Sequence, residues 1–465
     1  MPHHDLIIIG TGSGNSIPDE RFADLDIAIV DEGTFGGTCL NVGCIPTKMF
    51  VHTADLAAAA RGSSRLGVDS HVDTVRWSDV RDRIFGRIDP ISVAGRRYRE
   101  TGPNTTYYRE HAWFVAPKRL RLASGKDLTA DAIVLAAGSR AMVPAIPGLG
   151  SIDPGRVHTS DTVMRIDSLP QSIVVLGGGV IAAEMAHVFS ALGTRVTVVA
   201  RGPRLLRAED AAVSDRFTEI VGSRWDLRLS RQATGAESTE AGVRLHLQDP
   251  TGHPDPVPAE GELLLVATGR VPNSDHLKVE AGGIMTEADG RIAVDEFQRT
   301  SAADVYALGD ISSPDQLKHV ANHEARIVAH NLLHPQDPVK ADHRFVPHAV
   351  FSGPQVAAVG KTEAELVDAQ TPYVSSTQAY GDVAYGWAME DTTGFVKLLA
   401  DPASGLLLGA HIVGPQASSV IQPLIQAMSF GLPAHEMARG QYWIHPAMPE
   451  VVENALLQLP LLRRA

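Results

Sequence analysis

The chain has 465 residues, a formal net charge of −13, 44% apolar and 20% charged side chains, and two cysteines. A chain of that length divides into two to four domains and buries enough apolar surface to need no disulfide staples. Its acidic balance argues against a general nucleic-acid or anionic-membrane surface, and so few cysteines fit a reducing, cytoplasmic compartment.

The start, Met1-Pro2-His3-His4-Asp5, lacks the basic region of a secretory leader. Leu6-Ile7-Ile8-Ile9 reads as a buried strand that runs into Gly10-Thr11-Gly12-Ser13-Gly14-Asn15. Ile27-Ala28-Ile29-Val30 is the next strand and ends at Asp31. Strand, glycine turn, helix and strand form the unit that holds a dinucleotide. The glycines admit the pyrophosphate, the helix N-terminus supplies a positive field, and Asp31 can accept hydrogen bonds from ribose hydroxyls. Two departures stand out. Asn15 occupies the third glycine position, and Pro18 falls where the helix should begin. The first helix is therefore expected to be truncated or re-angled, which leaves open the pyrophosphate contacts beyond Gly10, Gly12 and Gly14.

Both cysteines lie in Gly36-Gly37-Thr38-Cys39-Leu40-Asn41-Val42-Gly43-Cys44-Ile45-Pro46-Thr47-Lys48. A disulfide closing so short a loop contributes roughly 2 kcal/mol at best, so a staple is a poor explanation. Two buried cysteines acting as small hydrophobes remain an alternative. Pro46 suits the first turn of a helix, and residues 47–60 read as that helix. Cys44 then lies near a positive helix end, which stabilises a thiolate. Residues 132–140 form an apolar strand ending in a small-residue turn at Gly138.

The dinucleotide unit recurs at Ile173-Val174-Val175-Leu176, followed by Gly177-Gly178-Gly179-Val180-Ile181-Ala182. The segment 173–192 is the most apolar in the chain, yet it carries Glu184 and His187 and cannot span a bilayer. Two copies imply two dinucleotides, one a flavin and one a nicotinamide. After the strand Val196-Thr197-Val198-Val199 stands Ala200, not an acid, and then Arg201, Arg204 and Arg207. A carboxylate there would repel a 2′-phosphate and guanidinium groups clamp it, so NADPH is expected over NADH. Arg204 reads as a solvated surface charge. Leu263–Val266 leads to Gly269, and Val305-Tyr306-Ala307-Leu308-Gly309-Asp310 ends in a carboxylate where ligands sit in open α/β sheets. From about residue 346 strands and helices alternate as in an α+β domain, with helices expected over 362–369 and 418–431. His445 precedes Pro446 and stands five residues before Glu450. Imidazole has the right pKa to protonate a leaving thiolate, and Glu450 can fix its tautomer.

These segments, over residues 5–457, resemble the flavin-dependent pyridine nucleotide–disulfide oxidoreductases, which include glutathione reductase and lipoamide dehydrogenase. The cysteine block is the most specific of them. Within the family, residues 39–50, 381–391 and 439–446 look most like the branch that reduces mycothione, the disulfide of mycothiol. The resemblance implies an α/β fold of two Rossmann-like domains plus a C-terminal α+β dimerisation domain. Residues 1–150, completed by 271–345, would bind FAD, 151–270 would bind NADPH, and 346–465 would pair two subunits. It implies that Cys44 lies nearer the flavin, that Cys39 attacks the substrate disulfide, and that Lys48 pairs with Glu184, with Thr47 as the other residue that could face the flavin. Gly37, Thr38, Gly138, Gly309, Asp310 and Val320 would join Gly10, Gly12, Gly14, Asp31 and Lys48 around FAD. Lys318-His319-Val320-Ala321 would lie beneath the flavin ring. Gly177, Gly179, Ala182, Glu184, Arg201, Arg207 and Gly269 would serve NADPH. In a homodimer, His445 and Glu450 would reach the cysteines of the other subunit.

The expected activity is NADPH-dependent reduction of a small-molecule disulfide, with no metal, nucleic-acid or membrane partner. Tyr385, Trp387, Tyr442 and Trp443 are candidates for a substrate pocket or for core. An NAD-linked dihydrolipoamide dehydrogenase is the nearest rival, and Ala200 and Arg201 speak against it. Mercuric reductase is disfavoured because the tail, Leu459-Pro460-Leu461-Leu462-Arg463-Arg464-Ala465, has no further cysteines. The remaining rival is a flavoprotein partner without disulfide turnover of its own.

Overall fold

Aliphatic, β-branched runs set the frame of the molecule. The computed structural model describes residues 1–462; residues 463–465 of the tail lie outside it. The strand His3–Ile9 lies between Ile27–Val30 and Asp127–Leu135, parallel to both. Thr105–Tyr108 extends one edge in parallel, and an antiparallel pair, Ala112–Ala116 and Arg119–Leu122, extends the other. Ile7, Ile8, Ala28, Ile29, Ile133 and Val134 are 0% exposed, as central parallel strands covered on both faces must be. Val305–Ala307 returns to this sheet and pairs in parallel with Asp127–Leu135. In register, Val30, Ile9, Leu135 and Ala307 form one row. The residues just beyond that row are Asp31, Gly10, Ala136 and Leu308, so the predicted nucleotide residues share the carboxyl edge of one sheet.

A second parallel sheet follows the order Asp226–Arg228, Arg195–Val199, Ser172–Leu176, Leu263–Val266, Val157–His158. Its carboxyl edge presents Gly177, Ala200 and Ala267. Gly10 and Gly177 occupy equivalent corners and need glycine for the same reason. Their φ values are +104° and +138°, and a Cβ would stand 2.2 Å from the Ala136 carbonyl oxygen and 2.1 Å from that of Ala267. The third large sheet is antiparallel, in the order Pro347–Val350, Val356–Gly360, Leu407–Val413, Phe395–Ala400, Val374–Ala379. C-terminal helices pack on it around Tyr380, Leu398, Leu424 and Val451.

Six helices carry or support the predicted site residues: α1 (Gly37–Asn41), α2 (Cys44–Gly62), α3 (Trp77–Glu100), α4 (Val180–Leu192), α5 (Ala211–Gly222) and α6 (Lys318–Leu333). The helix expected over 47–60 starts earlier, at Cys44, and Pro46 sits in its first turn, where a missing N–H leaves no bond unmade. The helix expected over 418–431 is split into Ala417–Val420 and Gln422–Phe430, with Pro423 at the start of the second piece. The expected truncation of the first dinucleotide helix is more complete than the sequence implies. Two short 3-10 turns, Gly14–Ser16 and Glu20–Phe22, take its place. Arg99, near the end of α3, reaches in beneath them. It donates to the Asn15 side-chain oxygen at 2.8 Å and to the carbonyls of Asn15 and Pro18 at 2.7 and 3.1 Å. A longer helix would satisfy such carbonyls itself; here a guanidinium does so.

Among the described residues, no helix is long and apolar enough to cross a membrane.

Candidate active site

Gly36, with φ +103°, turns the chain into α1, and Gly43 caps α2. The two short steps bring the thiols of Cys39 and Cys44 together, and both are free in this structure. They hydrogen-bond to one another. Their acidities separate as a result. The hydrogen bond from Cys39 and the nearby Lys48 charge lower the Cys44 pKa to about 7, against a desolvation that opposes them. The same bond and burial push the Cys39 thiol up, with Lys318 opposing. The proton of the pair therefore rests on Cys39 and the negative charge on Cys44, at the first residue of a helix.

Lys48, one turn along α2, donates to both oxygens of Glu184 on α4, at 2.7 and 2.8 Å. Glu184 is 4% exposed, and its charge is also met by the Phe351 N–H at 2.9 Å. The Lys48 ammonium lies 4.7 Å from the centre of the Phe351 ring. Thr47 points its hydroxyl at the Met164 sulfur, 3.6 Å away, so of the two neighbours Lys48 carries the charge at the site. In reduced protein the Cys44 thiolate is expected to titrate with a midpoint near pH 7, read from its ultraviolet absorbance. Lys48→Met should move that midpoint up by about one pH unit, as loss of a neighbouring opposite charge does. An unmoved midpoint would remove Lys48 from the set of groups that hold the thiolate.

One cavity of about 580 Å³ connects these residues. Its walls include Gly10, Gly12, Asp31, Gly37, Thr38, Cys39, Cys44, Lys48, Gly138, Glu184, Gly309 and Asp310. A Cβ at Gly138 would meet nothing within 4 Å, so bare backbone faces open space there, as close approach of a bound group requires. The Asp31 carboxylate is held by the Thr11 N–H and hydroxyl at 2.7 and 2.5 Å and by the Gly33 N–H at 2.8 Å. Asp310 accepts from Ser139 Oγ at 2.7 Å. A long, glycine-walled cavity with a carboxylate on the sheet edge and a cation–thiol cluster fits a flavin dinucleotide. The Val320 side chain is buried at 3% exposure, and its neighbour Ala321 lines the wall.

Lys318, in the segment expected beneath the flavin ring, makes a contact that no motif marks. It opens α6, lines the same cavity, and donates to Ser13 Oγ at 2.8 Å; Ser13 Oγ in turn donates to Asn322 at 3.0 Å. No spacing in the sequence signals a contact across 305 residues.

The second glycine turn lies apart from this cavity except through α4, whose Val180, Ile181 and Glu184 form part of its wall. Ala182 is buried at 1% exposure, and a Cβ on Gly179 would meet nothing within 4 Å. Gly269, at φ +133°, closes the adjoining strand end beside Met142. Arg201 and Arg207 are both exposed. Arg207 folds back over Gly202, the neighbour of Arg201, where a Cβ would stand 2.4 Å from the Arg207 Cδ. Arg204 turns away to Asp215 at 3.0 Å. Two free-ended guanidiniums beside Ala200 form a donor set suited to a phosphate.

His445 and Glu450 form a pair of their own, Nδ1 to Oε1 at 2.6 Å. That contact leaves Nε2 as the free nitrogen on a side chain 69% exposed. The pair does not line the cysteine cavity of its own chain. It lies in a segment with Tyr442 and Ile444 at 103% and 77% exposure. Trp443 packs partly against the C-terminal core, whereas Trp387 is 65% exposed.

Residues 4–325 match the family described as pyridine nucleotide-disulphide oxidoreductase, and residues 346–456 match its dimerisation domain. The second match supports a homodimer. The chain is 57% identical to a mycothione reductase of Mycobacterium tuberculosis, over 99% of this chain and all of that one. It is 32% identical to a dihydrolipoyl dehydrogenase of Haloferax volcanii, over 98% and 96% of the two chains. Among solved structures, the HOCl-induced flavoprotein disulfide reductase RclA from Escherichia coli superposes with a TM-score of 0.85 at 25% identity, covering 98% of this chain and 99% of that one. A thiol pair at the head of a helix, set in a glycine-walled cavity and matched along nearly the whole chain, makes this protein a member of the pyridine nucleotide-disulphide oxidoreductase family.

Proposed function

We propose that the protein reduces mycothione to mycothiol with NADPH, through FAD and the Cys39–Cys44 pair. The reading rests on the 57% identity to a mycothione reductase along the full chain. FAD, held along the glycine turn with Asp31 and Asp310, would supply two-electron transfer from NADPH to the Cys39–Cys44 disulfide. The protein groups do the rest. Lys48, fixed by Glu184, keeps a positive charge beside the Cys44 thiolate. Cys39, the less acidic thiol, gives up its proton to His445 of the partner subunit and attacks one sulfur of the substrate disulfide. One mycothiol leaves as a thiolate and takes its proton from that imidazole. Cys44 then attacks the Cys39 sulfur, the protein disulfide re-forms, and the second mycothiol leaves. Glu450 holds the imidazole so that Nε2 faces the sulfurs. The site is thus shared across the dimer, and a cytoplasmic location suits an enzyme that keeps thiols reduced.

The test is a panel of mycothione, oxidised glutathione, lipoamide and cystine with purified enzyme and NADPH. Mycothione should give the highest kcat/KM; preference for lipoamide would favour the dihydrolipoyl dehydrogenase reading. Stoichiometric flavin with no turnover of any disulfide would leave a non-catalytic flavoprotein partner.

NADPH preference is assigned to Arg201 and Arg207. A charged hydrogen bond contributes about 1.5–3 kcal/mol, which is roughly tenfold to a few hundredfold in discrimination. Arg201→Ala is expected to lower the NADPH-to-NADH ratio of kcat/KM by at least about tenfold. An unchanged ratio would sink the assignment.

A further inference from the structure

The loop that follows Ala200 carries both arginines assigned to the 2′-phosphate, and its far end is held from outside the second sheet. It ends at Glu209 and Asp210, whose side chains are 3% and 1% exposed. Asp210 caps α5, accepting from the Ala212 N–H at 3.0 Å. The other partners of the two carboxylates come from the C-terminal antiparallel region. His348 Nε2 meets Glu209 Oε1 at 2.8 Å. Lys397 Nζ donates to Asp210 Oδ1 at 2.8 Å and to Glu363 Oε2 at 2.7 Å. The Glu363 N–H donates to the second Asp210 oxygen at 3.1 Å. Lys397 is itself 8% exposed.

Buried charges in such number need every partner present. Glu209, Asp210 and Glu363 face Lys397 and His348, so protonation of the imidazole removes part of the cluster's excess negative charge. Burial is the largest single effect and opposes the imidazolium charge, but the bond to Glu209 and the attraction of the Glu209 and Asp315 charges together outweigh it, and the His348 pKa is raised.

The arginines feel this anchor through a short and stiff path. The Glu209 N–H donates to the Leu206 carbonyl at 2.9 Å, and that oxygen also accepts from Ser214 Oγ at 2.6 Å. The Leu206 N–H donates to the Gly178 carbonyl in the glycine turn at 2.7 Å. Leu206 stands at φ +52°, a left-handed conformation that a leucine adopts only when its surroundings impose it. Arg207 is the next residue.

We infer that His348 and Lys397 are positioning residues for 2′-phosphate recognition: by anchoring Glu209 and Asp210 they hold Arg207 over Gly202 beside Arg201. The inference rests on the assignment of those arginines to the phosphate. It makes the C-terminal region part of the coenzyme-specificity apparatus without any contact to the coenzyme. A merely structural role would weaken all nucleotides alike. A positioning role acts on the 2′-phosphate alone.

The test is calorimetric titration of the FAD-loaded dimer with 2′,5′-ADP, which carries the 2′-phosphate, and with 5′-AMP, which lacks it. Lys397→Met and His348→Ala should each weaken 2′,5′-ADP about tenfold and leave 5′-AMP within about twofold, and Lys397→Arg should restore binding. His348, with a side chain 34% exposed, carries the test if Lys397→Met does not fold. Equal weakening of both ligands, or none, overturns the inference. Arg201→Ala and Arg207→Ala serve as the control. If they too leave 2′,5′-ADP unaffected, the phosphate assignment itself fails; if they weaken it while both anchor variants bind as wild type, only the anchor fails.

Discussion

Cys39→Ser is expected to reduce disulfide turnover by at least about a thousandfold, because a serine hydroxyl at neutral pH is a far weaker nucleophile than a thiol that can ionise. Reduction of the flavin by NADPH, followed alone in a rapid-mixing experiment, should stay within about threefold of wild type. The asymmetry follows from the geometry. Lys48 and Glu184 act on the Cys44 side of the pair, and Cys39 holds the proton. Cys44→Ser should differ in kind. It leaves Cys39 without the thiolate that raises its pKa, so the remaining thiol should be alkylated at lower pH than Cys39 is in the intact pair. A Cys39→Ser enzyme that kept a tenth of its turnover would reverse the roles given to the two sulfurs.

The second large effect belongs to His445. Loss of a positioned acid–base group typically removes a factor of about 10²–10⁴, and His445→Ala is expected to fall in that range for disulfide turnover while flavin reduction is spared. Glu450→Gln should lose less, because the imidazole remains and only its orientation suffers. The contact at 2.6 Å fixes which nitrogen is free, so the glutamine variant should alter the pH profile as well as the rate. Mixed dimers give the sharper measurement. A heterodimer of His445→Ala and Cys39→Ser subunits concentrates both defects in one site and leaves the other intact, if each site takes His445 from one chain and Cys39 from the other. Co-refolding the two inactive proteins should then restore about a quarter of wild-type activity, half the dimers being mixed and each having one good site. No restoration would mean that each chain completes its own site.

Much of the site is legible in the chain because its signals are local. The isoleucine-rich strands, the glycine turns and the cysteine block each fit within thirteen residues, and His445 and Glu450 are five apart. Even the truncated first helix is visible as a proline and a missing glycine. What replaces that helix is not. Arg99 lies 84 residues from Asn15, and an arginine in a helix of many arginines has no mark of its own. Phe351 reaches Glu184 through its main chain, which no side-chain pattern can encode. Within the segment expected beneath the flavin ring, Lys318 and Ala321 line the cavity while the Val320 side chain is buried, because adjacent positions on a helix point about 100° apart and a motif does not fix its rotation.

The return of Val305–Ala307 to the first sheet has a consequence for synthesis. The 169 residues between Leu135 and Val305 include the whole second parallel sheet, and Asp310 and Lys318 come later still. A chain emerging from the ribosome can fold that inserted sheet while the first one waits with an unpaired edge beside Asp127–Leu135. Closing so long a loop adds little to the equilibrium entropy but slows the search. Flavin capture should therefore be a late event, and protein truncated near residue 300 should emerge flavin-free with its cysteine block already made.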